Sequence, residues 1–252
     1  MSDASTLLRD GDIAGLQALF AGRVRAEPMV ARHRLDFADA LILQGELERA
    51  DAQLDLASNQ DPALAVPTAL TRQLIRAAIA RAETWEQRRP PELVVEADEG
   101  IAAALARLAG VDAAADPREL SGTLDGRAFT GLRDADDRTA ELLEVMTGSG
   151  KYIWISLAQV ASLSVQPPAR TRDVVWRPAE LEVRGGPTGT VYLPALYPAS
   201  AARTVPSDAQ RLGRETNWVE QDGLVIGVGL RTFLAGDDAV ALGEFGELRV
   251  DG

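Results

Sequence analysis

The sequence predicts an α+β fold: tetratricopeptide-like helical hairpins at the N-terminus, followed by a mainly antiparallel β-sheet domain with short helices. Three observations lead there. The first 90 residues repeat with a 34-residue period, which is that of the tetratricopeptide helix pair. From residue 122 the apolar pattern changes to a period of 2, the signature of half-buried strands. Gly, Pro and Asp separate these runs, as turns between antiparallel strands require. The organisation expected is a helical domain over 1–90, a helical bridge over 91–121 and an α+β domain over 122–252.

The repeat is carried by named positions. Gly11 recurs as Gly45 and Pro28 as Pro62, while Leu7, Leu8, Leu16 and Phe20 map onto Leu41, Ile42, Ala50 and Leu54. The second copy is the better formed. Phe37, Ala38 and Leu41 belong to its first helix, Gly45 allows the turn, and Ala50, Leu54 and Ala57 belong to its second. The small alanines let two helices approach closely. Pro62 ends the pair, because proline disfavours helix in the residue before it. The same register places Ile75 opposite Leu41, so "LAVPTALTRQLIRAAIARAETWEQRR" reads as one long helix capping two pairs. "RRPPELV" (88–94) is a stiff break. Residues 97–120 return to a helical pattern through Ile101, Leu105 and Leu108, with Gly110 as a stop.

In the β-rich part, "TLDGRAF" holds the Asp125-Gly126 signal of a tight hairpin. "YIWISL", "RDVVWRPAELEVR", "GTVYLPALYP", "NWVEQDGLVIGVGLRTFL" and "AVALGEFGELRV" read as strands. Helical pattern interrupts them only at 136–147 and briefly near 207–213.

Composition narrows the function. The 252 residues carry a net charge of −12, which argues against nucleic acid, since phosphate binding needs a basic face. Residues 1–90 hold 13 acids and 11 arginines, so most of the negative charge lies beyond them. The absence of cysteine excludes disulfides, thiolate metal sites and cysteine nucleophiles. The single histidine, His33, sits in an arginine-flanked helical pattern and reads as a solvated helix residue rather than a zinc ligand or triad member. No apolar run approaches the roughly 18–20 residues of a membrane span. The N-terminal "MSDASTLLRDGD" lacks a signal-peptide pattern, so a cytoplasmic location is expected.

The densest candidate chemistry lies in "TGLRDADDRTAELLEVMTGSGKYIWISL" (130–157), with Asp134, Asp136 and Asp137 at its head and the only lysine, Lys151, after its glycines. A calcium loop starting at Asp134 would want glycine at its sixth position and glutamate at its twelfth, which are Thr139 and Val145. A phosphate loop ending at Lys151 would want glycine and a hydroxyl residue where Val145 and Tyr152 stand. Both patterns fail. The expectation is instead a helix over 136–147, with one of the aspartates at its N-cap and Gly148 or Gly150 ending it. Three acids exceed what one cap uses, so Asp134 or Asp136 could also hold Arg133, Arg138 or a neighbouring loop. Trp154 is expected on the following strand, packed inward. Trp176 and Trp218 also sit in strand patterns and read as core or sheet-face aromatics. "GVGLR" (227–231) has no helix after it, so close backbone packing or a bulge explains its glycines better than dinucleotide binding.

These segments taken in order resemble one family. "DADDR…LLEVM…GKYIWISL", "PPARTRDVVWRPAELEV", "YLPALYP", "TNWVE" and "GVGLRTFLAGDDAVALGEFGELRV" are similar to the ImpE family, also called TagJ or SciE-type, accessory proteins of bacterial type VI secretion clusters. Asp134-Ala135-Asp136, Arg138, "YIWI" (152–155), "VWRPAEL" (175–181), Pro194, Tyr197-Pro198, Trp218 and Gly227 to Arg231 carry the resemblance. The sequence departs from it at Thr139-Ala140-Glu141, where a Leu-Gly-Pro-like step is usual, and in a shorter linker around "RRPPEL". The resemblance implies a cytoplasmic, non-enzymatic protein, without cofactor, whose partners are the small sheath subunit and the sheath-recycling AAA+ unfoldase. It implies that the motif residues Asp134, Asp136, Arg138, Trp154, Trp176 and Trp218 define the fold.

The repeat register independently places Arg9, Arg32, Asp39, Gln73 and Arg76 on the groove of the helical stack. Such a groove would prefer a carboxylate-bearing partner. Two other readings stand beside the adaptor. One is a metal-dependent enzyme using Asp134, Asp136 and Arg138; the other is a scaffold that self-associates through exposed sheet edges.

Overall fold

The computed structural model describes residues 3–111, 118–198 and 204–252. Helices α1 (Ala4–Asp10), α2 (Ile13–Ala26), α3 (Ala31–Gln44) and α4 (Leu47–Gln60) form two successive hairpins, and the long α5 (Ala65–Gln87) closes the stack. The 34-residue repeat is visible in the backbone. α1 ends at Gly11 with φ 79° and α3 ends at Gly45 with φ 78°, and both glycine N–H groups close the helix by bonding back to its last carbonyls. Asp3 and Asp12 cap the first two helices by accepting from Thr6 and Gly15 N–H. Ile13, Leu16 and Phe20 of α2, Phe37, Ala38 and Leu41 of α3, Ala50 and Leu54 of α4, and Leu74 and Ile75 of α5 fill the space between them. α6 (Glu99–Leu108) follows, capped by Asp98. The helical pattern expected over 97–120 is helix only over Glu99–Leu108; residues 112–117 lie outside the described residues, and Ser121 begins a strand.

The rest is β-rich. Strands β1 (Ser121–Leu124), β2 (Arg127–Thr130), β4 (Leu142–Thr147), β5 (Tyr152–Ser156), β6 (Val160–Val165), β7 (Trp176–Val183), β8 (Thr188–Pro194) and β13 (Glu247–Val250) make an antiparallel sheet in the order β2-β1-β13-β6-β7-β8-β4-β5. β3 (Leu132–Asp134), β11 (Thr232–Ala235) and β12 (Asp238–Ala241) form a second sheet, and β9 (Thr216–Gln221) with β10 (Leu224–Gly229) a separate ribbon. The short α7 (Asp208–Arg211) precedes β9, where a brief helix was expected. The β1–β2 turn is Asp125-Gly126 with φ 48° and 78°, and the β9–β10 turn repeats it as Asp222-Gly223 with φ 54° and 76°. Two positive φ values in a two-residue loop match the twist of the flanking strands.

The expected helix over 136–147 is overturned. Residues 142–147 are strand β4, preceded by turns, and Gly150 (φ 89°) lies in the β4–β5 hairpin turn instead of ending a helix. The physical reason is burial on both faces. Leu142 and Met146 pack toward the helices, while Leu143 and Val145 pack into a second apolar cluster on the opposite face. A strand covered on both sides has no polar alternation, so its apolar run mimics a helix stripe. β5 divides in the same way: Tyr152 and Trp154 face the helices, Ile153 and Ile155 the other cluster. The outer edge of β5 is partly covered, because Trp154 N–H donates to the Glu92 carbonyl (3.2 Å) and Glu92 N–H to that of Tyr152 (3.3 Å).

Candidate functional site

The helix-facing side of β4 carries Glu144 between Leu142 and Met146, and it is buried with 1% exposure. Its partners come from elements far apart in sequence. On α5, Arg81 donates through Nε to Oε1 (2.8 Å) and through Nη2 to Oε2 (2.9 Å), and Trp85 Nε1 donates to Oε1 (2.9 Å). The Tyr152 hydroxyl and Arg231 Nη2 also donate to this carboxylate. Trp154 Nε1 in turn donates to the Tyr152 hydroxyl (2.6 Å).

Arg231 extends the network to the aspartates. Its Nη1 pairs with Asp134, whose other oxygen accepts from the Tyr197 hydroxyl (2.6 Å) and from Asp136 N–H (2.9 Å). Asp136 takes Arg138 Nε and N–H (both 2.9 Å), and its second oxygen takes Gly227 N–H (3.0 Å). Asp137 binds Arg133 (2.5 Å) and Val225 N–H (2.6 Å). The aspartates therefore brace turns and hold arginines; they cap no helix. Aromatic faces enclose the cations: Arg138 lies 5.3 Å from the Trp85 centroid and Arg231 5.3 Å from that of Tyr197. Trp85 stacks at a tilt on Trp154, 5.4 Å between centroids.

Burial and charge pull these groups in opposite directions. Burial alone would raise the Glu144 carboxyl, but Arg81 and Arg231 outweigh it and hold it well below the usual carboxylate range. For Asp134 burial wins over Arg231, pushing it up to about 6. Burial, reinforced by neighbouring carboxylates, pushes the Tyr152 and Tyr197 phenols up, so both stay protonated donors. Arg231 and Arg81 are raised, because their carboxylate partners exceed the opposing effect of burial.

Chemically this is a clamp. Asp134, Asp136, Asp137 and Glu144 each already hold a guanidinium. Among the described residues no three His, Cys, Asp or Glu side chains stand together as metal ligands. No helix among them is long and apolar enough to cross a membrane.

The motif residues converge as a group, with differences. Trp154 and Trp176 are buried in the cluster shared with the helices. Trp218 is 43% exposed and meets Tyr197 edge-on (5.8 Å), so it is a surface aromatic with one buried side. A Cβ at Gly227 would run into the Tyr197 ring, so "GVGLR" is the close backbone approach expected of it. The five groove positions differ in exposure and partners. Arg9, Arg32 and Arg76 are exposed, bonded to Asp10 (3.2 Å), Asp36 (3.1 Å) and Gln73 (3.1 Å). Asp39 is drawn into an ion pair with Arg172 (3.0 Å), and Gln73 lies against Gly150 of the β4–β5 turn, so these two meet the sheet region. Sequence reasoning missed Glu144, Arg81 and Trp85 entirely. The available signal was a lone acid inside "LLEVM" and a lone arginine inside "AAIARA".

The family model described as ImpE protein matches residues 126–249. The "Type VI secretion system accessory component TagJ" of Pseudomonas aeruginosa is 33% identical over 253 residues, covering 94% of this chain and 88% of the relative. The crystal structure of protein VPA1032 from Vibrio parahaemolyticus superposes with a TM-score of 0.87 at 24% identity, covering 100% of this chain and 98% of the other, and so shares the fold. The chain belongs to the ImpE family.

Proposed function

We propose that this protein is a cytoplasmic accessory component of a type VI secretion system, acting through protein contacts and without catalysis. The observation that carries this is the 33% identity to TagJ across 94% of the chain. The engagement of every motif acid by an arginine supports the non-enzymatic part, because each such pair braces the fold.

The partners on this reading are the small sheath subunit and the AAA+ unfoldase. The docking face lies where the α2–α3 and α4–α5 loops meet, joined by Gln60 Nε2 donating to the Pro28 carbonyl (2.9 Å). Met29 (79% exposed) and Val30 stand in the α2–α3 loop just before the exposed Arg32, and Val66 (81%) is exposed in the first turn of α5. Large exposed apolar side chains next to a guanidinium suit a helix with an apolar stripe and acidic flanks. Arg9 and Arg76 are further exposed cations, while Asp39 and Gln73 contribute by fixing the stack on the sheet.

The test is co-purification of the tagged chain from cells with an intact secretion cluster, read by mass spectrometry. Sheath subunit or unfoldase should be recovered, and should be lost with a Met29→Ser, Arg32→Ala, Val66→Ser variant that melts like the parent. Recovery of no secretion component with the parent chain would overturn the assignment; undiminished recovery with the variant would move the docking face elsewhere.

A further inference from the structure

"TNWVEQDGLVIGVG" (216–229) folds into the β9–β10 ribbon, and the two edges of that ribbon differ. The register sets Glu220 opposite Val225, Trp218 opposite Gly227 and Thr216 opposite Gly229. On β10 the backbone groups of Val225, Gly227 and Gly229 point away from β9. Val225 N–H donates to Asp137 Oδ2 (2.6 Å), and its carbonyl accepts from Asp137 N–H (2.9 Å). Gly227 N–H donates to Asp136 Oδ2 (3.0 Å), and the Gly229 carbonyl accepts from Tyr197 N–H (2.9 Å). The aspartate motif and Tyr197 therefore fill this edge.

The other edge is open. Opposite residues of an antiparallel pair either bond each other or both point away. Thr216, Trp218 and Glu220 thus turn their N–H and C=O groups outward from β9, and these groups make no hydrogen bond among the described residues. Natural edges are usually blunted by proline, lysine or a covering segment, and β9 contains neither residue. Trp218 and Val225 are each 43% exposed and are diagonal neighbours on one face of the ribbon. A two-stranded ribbon with such a face gains from further strands.

We infer that this edge is a contact with a second copy of the chain, β9 pairing antiparallel with the partner's β9 about a two-fold axis at Trp218. That register alone sets every open position against an open position. Trp218 faces the partner's Trp218, and Thr216 faces the partner's Glu220 in both directions. About six backbone hydrogen bonds close, and two ribbons become one four-stranded sheet. The side chains suit the same register. Two tryptophans make a favoured cross-strand pair, and Glu220 meets a threonine hydroxyl. Just past the strand ends Arg214, bonded to the Leu8 and Arg9 carbonyls, comes opposite the partner's Asp222. No like charges stand opposite each other. The whole-chain charge acts against the contact, since each copy carries −12, so association is weak and strengthens as salt screens the repulsion.

The experiment is sedimentation velocity of the full chain from about 2 to about 200 µM, at about 0.05 and about 0.5 M salt. The sedimenting species should move from 26.9 kDa toward twice that mass as concentration rises, and further at the higher salt. Glu220→Pro deletes an N–H that points outward, a place where an edge strand tolerates proline, and leaves the ribbon's own bonds intact. It removes two bonds from a symmetric contact, so the dissociation constant should rise about tenfold or more with little change in melting temperature. Trp218→Lys sets like charges opposite each other across the two-fold and should abolish association; it keeps the test decisive if Glu220→Pro fails to fold. A parent chain that stays at 26.9 kDa throughout overturns the inference and leaves the edge to a strand of another protein. Growth past the dimer overturns it equally, as does either folded variant associating as the parent does.

Discussion

Glu144 accepts from Arg81, Trp85, Tyr152 and Arg231 at once, inside an interior where an unpaired charge is costly. Neutralising it leaves the buried Arg81 guanidinium without its counter-ion and Arg231 with Asp134 alone. Glu144→Gln should therefore cost about 3–5 kcal/mol in urea unfolding, the range for breaking a buried pair on one side. The exposed Glu48→Gln should stay within about 0.5 kcal/mol. Asp134 tests the opposite sign. Its folded pKa, about 6, lies above its ordinary 3.8, so the folded chain binds the extra proton. Its contribution is fully present below about pH 3.8 and is lost as pH rises through 6. Glu144, held low, contributes above its ordinary 4.5 and loses that as pH falls. The stability of the parent relative to Asp134→Asn should thus shrink between pH 4 and 6, by about 1.4 kcal/mol per pH unit inside the window. A flat difference there would mean that Asp134 ionises in the fold as it does in the open chain.

Single elements explain why some of this was legible in the sequence and some not. Gly11 and Gly45 announced the hairpin repeat because a left-handed helix end needs glycine and leaves a local mark. Asp125-Gly126 announced its turn for the same reason. β4 misled, because a strand buried on both faces shows length and apolarity but no period. The charge network was half visible: Asp134, Asp136 and Arg138 stood out as a cluster, whereas Glu144 and Arg81 are 63 residues apart and meet only through the docking of α5 on β4. Glycines separate local from tertiary demands experimentally. A Cβ at Gly22, inside α2, meets open space, so Gly22→Ala should stabilise by about 0.5–1 kcal/mol. Gly45→Ala forces an L-residue to φ 78° and should destabilise by about 1–2 kcal/mol. Thermal melts that moved in the same direction for both variants would contradict the two backbone assignments.

Across the whole molecule, the helical stack and the sheet share one apolar cluster that runs from Ile13 and Leu41 through Leu74 to Leu142, Met146, Trp154 and Trp176. The clamp spans the same boundary, since Arg81 and Trp85 reach Glu144 from α5 and Arg81 Nη2 also holds the Leu196 carbonyl (2.9 Å). Asp39 with Arg172 adds a further link. A boundary tied this way should not open before the rest. The helical signal in circular dichroism and the fluorescence of the tryptophans at the boundary should therefore lose structure together in urea, as one transition. Arg81→Met removes the helix side of the clamp but keeps an apolar stem against the cluster. It leaves Glu144 with Arg231, so the sheet keeps its internal pair while the stack loses its ionic tie. The two signals should then separate, with tryptophan fluorescence changing at lower urea than the helix signal. Coincident transitions in Arg81→Met would instead assign the coupling to the apolar cluster and leave the clamp a role inside the sheet alone.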